Sequence, residues 1–280
     1  MEIKLIAMDL DGTLLDSRSA VTPETRRAIG LAREAGIVTA AATGRPLSAL
    51  PDFILDGSLI DFAITSNGSS IFALPDRERI YVRKMPGDTV RSLLEAARGL
   101  KATVEVYIDG FAYCAEDYYR KPTDFNLPER MDSYVPATRR PVSGMQDFLE
   151  QNIDSIEGLT FITADHALRE LIRERVRAVP GIYTTSSAPY YIETANGEVS
   201  KANALRHLCS RLGISAEHTA TFGDGINDIE MIIYAGTGVA MANSAPELIS
   251  AADLVTASND DDGIARFIYS TLAPSPISAI

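Results

Sequence analysis

Short apolar runs recur along the chain, and each stops at a polar loop. Ile3 to Met8 ends at acidic residues and a glycine, the pattern of a buried strand feeding a loop. Thr22-Pro23 follows as an N-cap with proline at the first helical position. Ala28, Ile29, Ala32 and Ala35 keep helical spacing, and Gly36 ends the element. Ile37 to Ala42 stops at Thr43-Gly44-Arg45-Pro46, and Phe62 to Thr65 stops at Ser66-Asn67-Gly68. The same order returns late. Ser200 to Leu212 reads as a helix capped by Ser200, Thr219 to Phe222 as a strand running into Gly223-Asp224-Gly225-Ile226-Asn227-Asp228. Gly238 to Met241 and Leu254 to Thr256 continue the alternation.

Strand, helix, strand, polar loop, repeated, predicts a parallel sheet with crossover helices, an α/β core of Rossmann-like type. Ligands bind such sheets beyond the carboxyl ends of their strands, so the polar loops are expected to converge there. The middle of the chain has a different pattern. It predicts a helix over Asp88 to Arg98, strands over Thr103 to Ile108 and Phe111 to Ala115, and a proline-rich stretch through Pro122, Pro128, Pro136 and Pro141. Leu159 to Thr163, a helix from Ala167 to Val179, and Ile182 to Thr185 follow. About a hundred residues suffice for a separate domain. The expected division is a core of residues 1–84 and 190–280, with an α+β domain inserted over 85–189.

Charge narrows the partners. Acidic side chains outnumber basic ones by 38 to 26, a net charge of −12, which repels nucleic-acid backbones and anionic membranes. A phosphorylated metabolite would be repelled too, so a phosphate site here needs local positive charge or a bound cation. No segment has the ~18 uninterrupted apolar residues of a membrane span, and no basic stretch precedes a cleavable apolar one. A soluble cytoplasmic protein is the expectation. Cys114 and Cys209 lack metal-ligand spacing and are expected to be buried thiols.

Four places carry chemistry. Asp9 and Asp11 alternate in a strand leading into a turn, so both carboxylates can face one pocket. Repulsion between them calls for a cation, and a hard ion such as magnesium binds carboxylate and phosphate oxygens together. An acidic loop capping a helix is the alternative for the pair taken alone. Thr43-Gly44-Arg45 offers a hydroxyl and backbone N–H groups to phosphate oxygens, though Thr-Gly also marks ordinary turns. Lys201 stands in the first turn of a helix, where the dipole disfavours a cation unless an anion lies nearby; a lysine extended into solvent is the other reading. Asp224, Asn227 and Asp228 crowd one strand-to-helix loop as metal ligands or groups that orient them. A calcium loop is excluded, because Glu230 does not supply the closing glutamate.

In this order the four segments resemble the haloacid dehalogenase superfamily, and most closely the Cof-like phosphatases with a type IIB cap. Asp9-Leu10-Asp11-Gly12-Thr13 is similar to its first motif, Thr43 to its second, Lys201 to its third and Gly223 to Met231 to its fourth. The stretch from Gly238 to Ile268 is similar to that family's ending. Ala202 and Ala242 stand where the family commonly has glycine. The resemblance implies a phosphatase with a magnesium cofactor and a small phosphorylated metabolite as substrate. It implies Asp9 as nucleophile and Asp11 as acid and base. The metal would lie on Asp9, the Asp11 backbone carbonyl and Asp224, with Asp228 ordering its waters or Lys201. Thr43, Lys201 and Asn227 would hold the phosphoryl oxygens. The insert is then a lid, with Arg45, Tyr113, Tyr183, Ser187 and Tyr190 as candidates for reading the leaving group. A phosphomutase of the same superfamily and a metabolite sensor are the alternative functions.

Overall fold

In the computed structural model of the protein, which describes residues 2–272, fourteen strands divide between two sheets. The first part of the chain supplies β1 (Leu5–Met8), β2 (Val38–Ala42), β3 (Phe62–Thr65), β4 (Ser70–Ala73) and β5 (Glu78–Val82). The insert supplies β6 (Thr103–Ile108), β7 (Phe111–Ala115), β8 (Arg139–Val142), β9 (Gly158–Ile162), β10 (Ile182–Thr185) and β11 (Tyr191–Asn196). The last part supplies β12 (Thr219–Gly223), β13 (Thr237–Ala240) and β14 (Leu254–Val255).

The core sheet runs β14-β13-β12-β1-β2-β3-β4-β5, parallel from β14 to β3 and antiparallel beyond it. Its strands are apolar on both faces because helices cover both. Ile6 and Met8 face the helices Pro23–Glu34 and Gly263–Leu272, while Leu5 and Ala7 face Lys201–Leu212. The helix starts follow local chemistry: Thr22 accepts from the Thr25 N–H at 3.1 Å, and Ser200 from the Asn203 N–H at 3.2 Å. Strand order reverses between β1 and β12, so the loops after these neighbouring strands open on one crevice.

The inserted sheet runs β10-β11-β9-β6-β7-β8. Val106, Leu159, Phe161 and Ile192 pack on one face against Val90 and Leu93 of the helix Gly87–Ala96 and Ile172 and Val176 of His166–Arg177. The alternate residues Tyr107, Tyr191 and Glu193 turn the other way, toward the core domain. The strand period of two thus divides this sheet into an apolar face under helices and a polar face over the crevice.

One expected boundary moves. The sequence pattern places residues 190–196 in the core, but Tyr191–Asn196 pairs with β9 and β10 in the inserted sheet. Ile192 belongs to that domain's apolar cluster, and the chain returns to the core only near Ser200. The proline-rich stretch also acquires structure, a helix over Met131–Thr138 that contains Pro136, followed by β8. Cys114 and Cys209 are buried free thiols. No helix among the described residues is long and apolar enough to cross a membrane.

Candidate active site

Asp9 follows β1 directly, its N–H bonded to the Phe222 carbonyl of β12 at 3.0 Å. This pairing carries the carboxylate to the sheet's edge beside the loop that follows β12. Lys201 enters from the other domain segment at the start of its helix, and the side chain is wholly buried. Its ammonium donates to Asp9 Oδ1 and to Asp228 Oδ1, both at 2.6 Å. The anion that makes sense of a lysine in a first helical turn is therefore a pair of carboxylates. Burial works against the Lys201 charge, but Asp228 and Asp9 outweigh it and hold the ammonium's pKa above its ordinary value.

Asp228 is fixed on its other side by the N–H groups of Asp224 and Gly225, which donate to Oδ2 at 3.1 and 3.0 Å. Asp224 accepts from the Thr13 hydroxyl at 2.7 Å. Carboxylate oxygens of Asp9, Asp224 and Asp228 all lie within 4.8 Å of one another. Burial, then the neighbouring Asp228, Asp224 and Asp11, push the Asp9 carboxyl well up against the pull of Lys201. Burial likewise pushes Asp224 up to about 6, with Asp228 and Asp11 adding to it and Thr13 and Lys201 opposing. Three crowded carboxylates with one ammonium are short of positive charge. An all-oxygen set of this kind fits a hard divalent cation.

Glycine makes this crowding possible. Gly12 has φ +85°, and a Cβ there would lie 2.4 Å from Asp224 Oδ2. The loops after β2 and β3 interlock beside it, the Asn67 N–H bonding the Thr43 carbonyl and the Ser66 N–H the Arg45 carbonyl. Thr43 is buried, and its hydroxyl accepts from the Arg45 N–H at 3.1 Å. Asn227 donates to the Asn67 side chain at 3.0 Å.

Asp9, Asp11, Thr43, Gly44, Arg45, Asp224, Asn227 and Asp228 line one cavity of about 490 Å³, and Lys201 lies beneath it. The inserted domain forms the opposite wall, with Arg130, Tyr134, Arg139, Tyr190 and Glu193 among its residues. Of the four leaving-group candidates from that domain, Ser187 and Tyr190 reach this cavity. Tyr183 lines a smaller recess beside it, and Tyr113 packs on Phe148 under the sheet's apolar face. Arg45 does not extend into open space: Nε and Nη2 donate to the two Asp11 oxygens at 2.8 and 2.5 Å.

Sequence reasoning missed Glu193, Arg139 and Tyr134. Glu193 is buried, accepts from the Ser187 N–H at 2.6 Å and its hydroxyl at 3.0 Å, and lies 3.4 Å from the Asn67 amide. Its signal was a lone carboxylate in the strand-like run Tyr191 to Ala195. Arg139 is buried against Glu105 of β6, 3.0 Å away, a pairing that spacing along the chain does not announce.

Comparison with known proteins gives the family. The description haloacid dehalogenase-like hydrolase matches residues 6–268. The chain belongs to that family, and it is a phosphatase of the Cof-like group with a type IIB cap, the inserted domain being the cap. It is 32% identical over 271 residues to the putative phosphatase YxeH of Bacillus subtilis, covering 95% of this chain and 97% of that one. It is 29% identical over 277 residues to the pyridoxal phosphate phosphatase YbhA of Escherichia coli, covering 97% and 100%. Among solved structures, a sugar phosphatase of subclass IIB superimposes with a TM-score of 0.80 at 25% identity, over 95% of this chain and 98% of that one.

Proposed function

We propose that the protein hydrolyses a small phosphorylated metabolite, a sugar phosphate or similar monoester, with magnesium as its metal and Asp9 as its nucleophile. The observation that carries this reading is the buried Lys201 ammonium shared by Asp9 and Asp228, with Asp224 close by. The lysine holds one Asp9 oxygen and leaves the other to approach phosphorus from the cavity. Asp9, Asp224 and the Asp11 backbone carbonyl are the proposed metal ligands, with Asp228 orienting the set. Bound there, magnesium supplies the positive charge that lets carboxylates and a phosphate dianion share one pocket.

The reaction is read in two steps. As an Asp9 oxygen bonds phosphorus, the ester P–O bond breaks and the Asp11 carboxyl gives its proton to the departing oxygen. Asp11, now a carboxylate, takes a proton from the water that attacks the aspartyl-phosphate, releasing inorganic phosphate and restoring Asp9. Thr43, Lys201 and Asn227, with the Gly44 backbone, hold phosphoryl oxygens as charge spreads over them. The cap excludes water and reads the alcohol. Tyr107, Tyr134, Tyr190 and Tyr191 line its wall, which suits the packing of a sugar or a flat heterocycle. The names of the relatives, a pyridoxal phosphate phosphatase and a sugar phosphatase, support this substrate size.

Release of phosphate from p-nitrophenyl phosphate tests the reading. It is expected to need magnesium, to stop with EDTA and to be abolished by Asp9→Asn. Near-normal turnover by that variant sinks the assignment. Isomerised sugar phosphate with little free phosphate would point to a mutase instead.

A further inference from the structure

A general acid works only when its proton is aimed at the departing oxygen. Asp11 sits on a loop with its side chain more than half exposed, and an exposed carboxylate there is free to rotate. Among the described residues its side chain has one hydrogen-bonding partner, Arg45. The guanidinium grips both carboxylate oxygens, a planar fork that fixes the carboxylate plane as well as its position.

Arg45 is itself held. Nη1 donates to the Ala49 carbonyl at 3.2 Å, and the guanidinium carbon stands 5.9 Å from the centre of the Tyr134 ring. Tyr134 belongs to the cap helix Met131–Thr138. Its ring also carries the Arg139 guanidinium at 4.9 Å, and Arg139 is anchored to buried Glu105 in the cap sheet. Contacts of this kind lie within the ~6 Å reach of cation–π attraction. An unbroken line of side chains therefore joins the acid in the core to an ion pair inside the cap.

We propose that Arg45, braced by Tyr134 of the cap, is a positioning residue for Asp11, so that protonation of the leaving group depends on the cap being seated over the core. This rests on the reading of Asp11 as the acid and adds the device that aims it. The competing reading is charge balance, in which Arg45 merely offsets an acidic pocket. The two differ in what a lysine can replace. A point charge restores balance but not a fork.

The test measures kcat/KM with magnesium for substituted phenyl phosphates, from p-nitrophenyl to p-methoxyphenyl, which differ in leaving-group basicity more than in shape. A good leaving group departs without help, and a poor one needs the acid. Acid catalysis is worth about 10²–10⁴-fold, so a misaimed Asp11 should widen the gap between the two esters by about tenfold or more. That widening is expected for Arg45→Gln and Arg45→Lys alike, and for Tyr134→Ala and the bulk-preserving Tyr134→Leu. Tyr134→Phe keeps the ring and should keep the wild-type ratio. Equal losses on all esters in both Tyr134→Ala and Tyr134→Leu, or a wild-type ratio in Arg45→Lys, would overturn the proposal. Asp11→Asn is the control for the underlying reading. If it leaves the ratio unchanged, Asp11 is not the acid and that assignment fails, taking the relay with it. A widened ratio there and none in the Tyr134 variants removes the relay alone.

Discussion

Replacing Lys201 with methionine removes the one ammonium bonded to Asp9 and Asp228 and leaves two buried carboxylates facing each other. At 2.6 Å each attraction is roughly 6 kcal/mol for an effective dielectric near 20, and burial of the ions takes back several kcal/mol apiece. Such near-cancellation is why intact buried pairs contribute little net stability while breaking one costs about 3–5 kcal/mol. At roughly 2–4 °C per kcal/mol for a domain of this size, Lys201→Met should unfold about 10 °C below wild type in EDTA near pH 7.5. Three comparisons isolate the cause. Adding Asp228→Asn should recover part of the loss, because one stranded charge is gone. Magnesium should recover part of it too. The deficit should shrink at acid pH, where a proton can neutralise Asp9, whose carboxyl is already pushed up by burial and its acidic neighbours. Thermal melts followed by circular dichroism read all of these. A single variant that melts with wild type, or a double variant no more stable than the single, refutes the electrostatic account.

Three further outcomes follow from the site and from the contact of the cap with the core. The Asp224 carboxyl, pushed from 3.8 to about 6, favours the metal-free fold when protonated; that stabilisation is complete below about 4 and lost as pH rises through about 6. The rise in melting temperature given by magnesium should therefore be larger at pH 8 than at pH 5, and an equal rise at both counts against Asp224 as a ligand. Gly12→Ala places a Cβ 2.4 Å from Asp224 Oδ2 at a left-handed position; calorimetry should show weakened magnesium binding, and unaltered binding would mean the loop yields freely. Glu157 of the cap accepts from Ser70, Arg79 and the Asp109 N–H at 2.9–3.0 Å. Glu157→Ala should cost about 3 kcal/mol by stranding these donors and speed proteolysis near residues 83–86; an unchanged digestion rate would show that the contact does not hold the cap.

Where the sequence was readable, the physics was local. The strands ending at Met8, Ala42 and Thr65 announced themselves by apolar runs stopped by glycine or polar residues, and Thr22 and Ser200 marked helix starts by their own hydroxyls. The loops of Asp9, Thr43 and Asp224 are expected at one edge together with the helix start at Lys201, and they meet there. The sequence pattern puts β11 in the wrong domain because Tyr191 to Ala195 is buried on both faces, and burial does not say against which neighbour. The hairpin β4–β5 lies beyond Ser66-Asn67-Gly68, where the apolar pattern predicts only a polar stop and no further strand. Arg45 on Asp11 and Arg139 on Glu105 join residues 34 apart in each case. Which of many charges a given arginine meets is decided by how the strands pack within each domain, β1 beside β2 in the core and β6 near β8 in the insert, and no local pattern encodes it.

The adjacency of β1 and β12 has a consequence for how the molecule is made. These neighbours at the centre of the core sheet are separated by the entire cap, with Leu5 paired to Thr219. A ribosome delivers β1, β2 and β3 early, then must release the whole insert before the strand that completes the centre emerges. The cap's own sheet needs only residues of the insert, so it is free to assemble while one edge of β1 still waits unpaired. Such distant pairing slows folding and leaves an apolar edge open to other chains in the interval. Asp9 at the end of β1 thus becomes part of a site only among the last events of folding. A truncated chain that stops before residue 219 holds Asp9 but neither Asp224 nor Asp228.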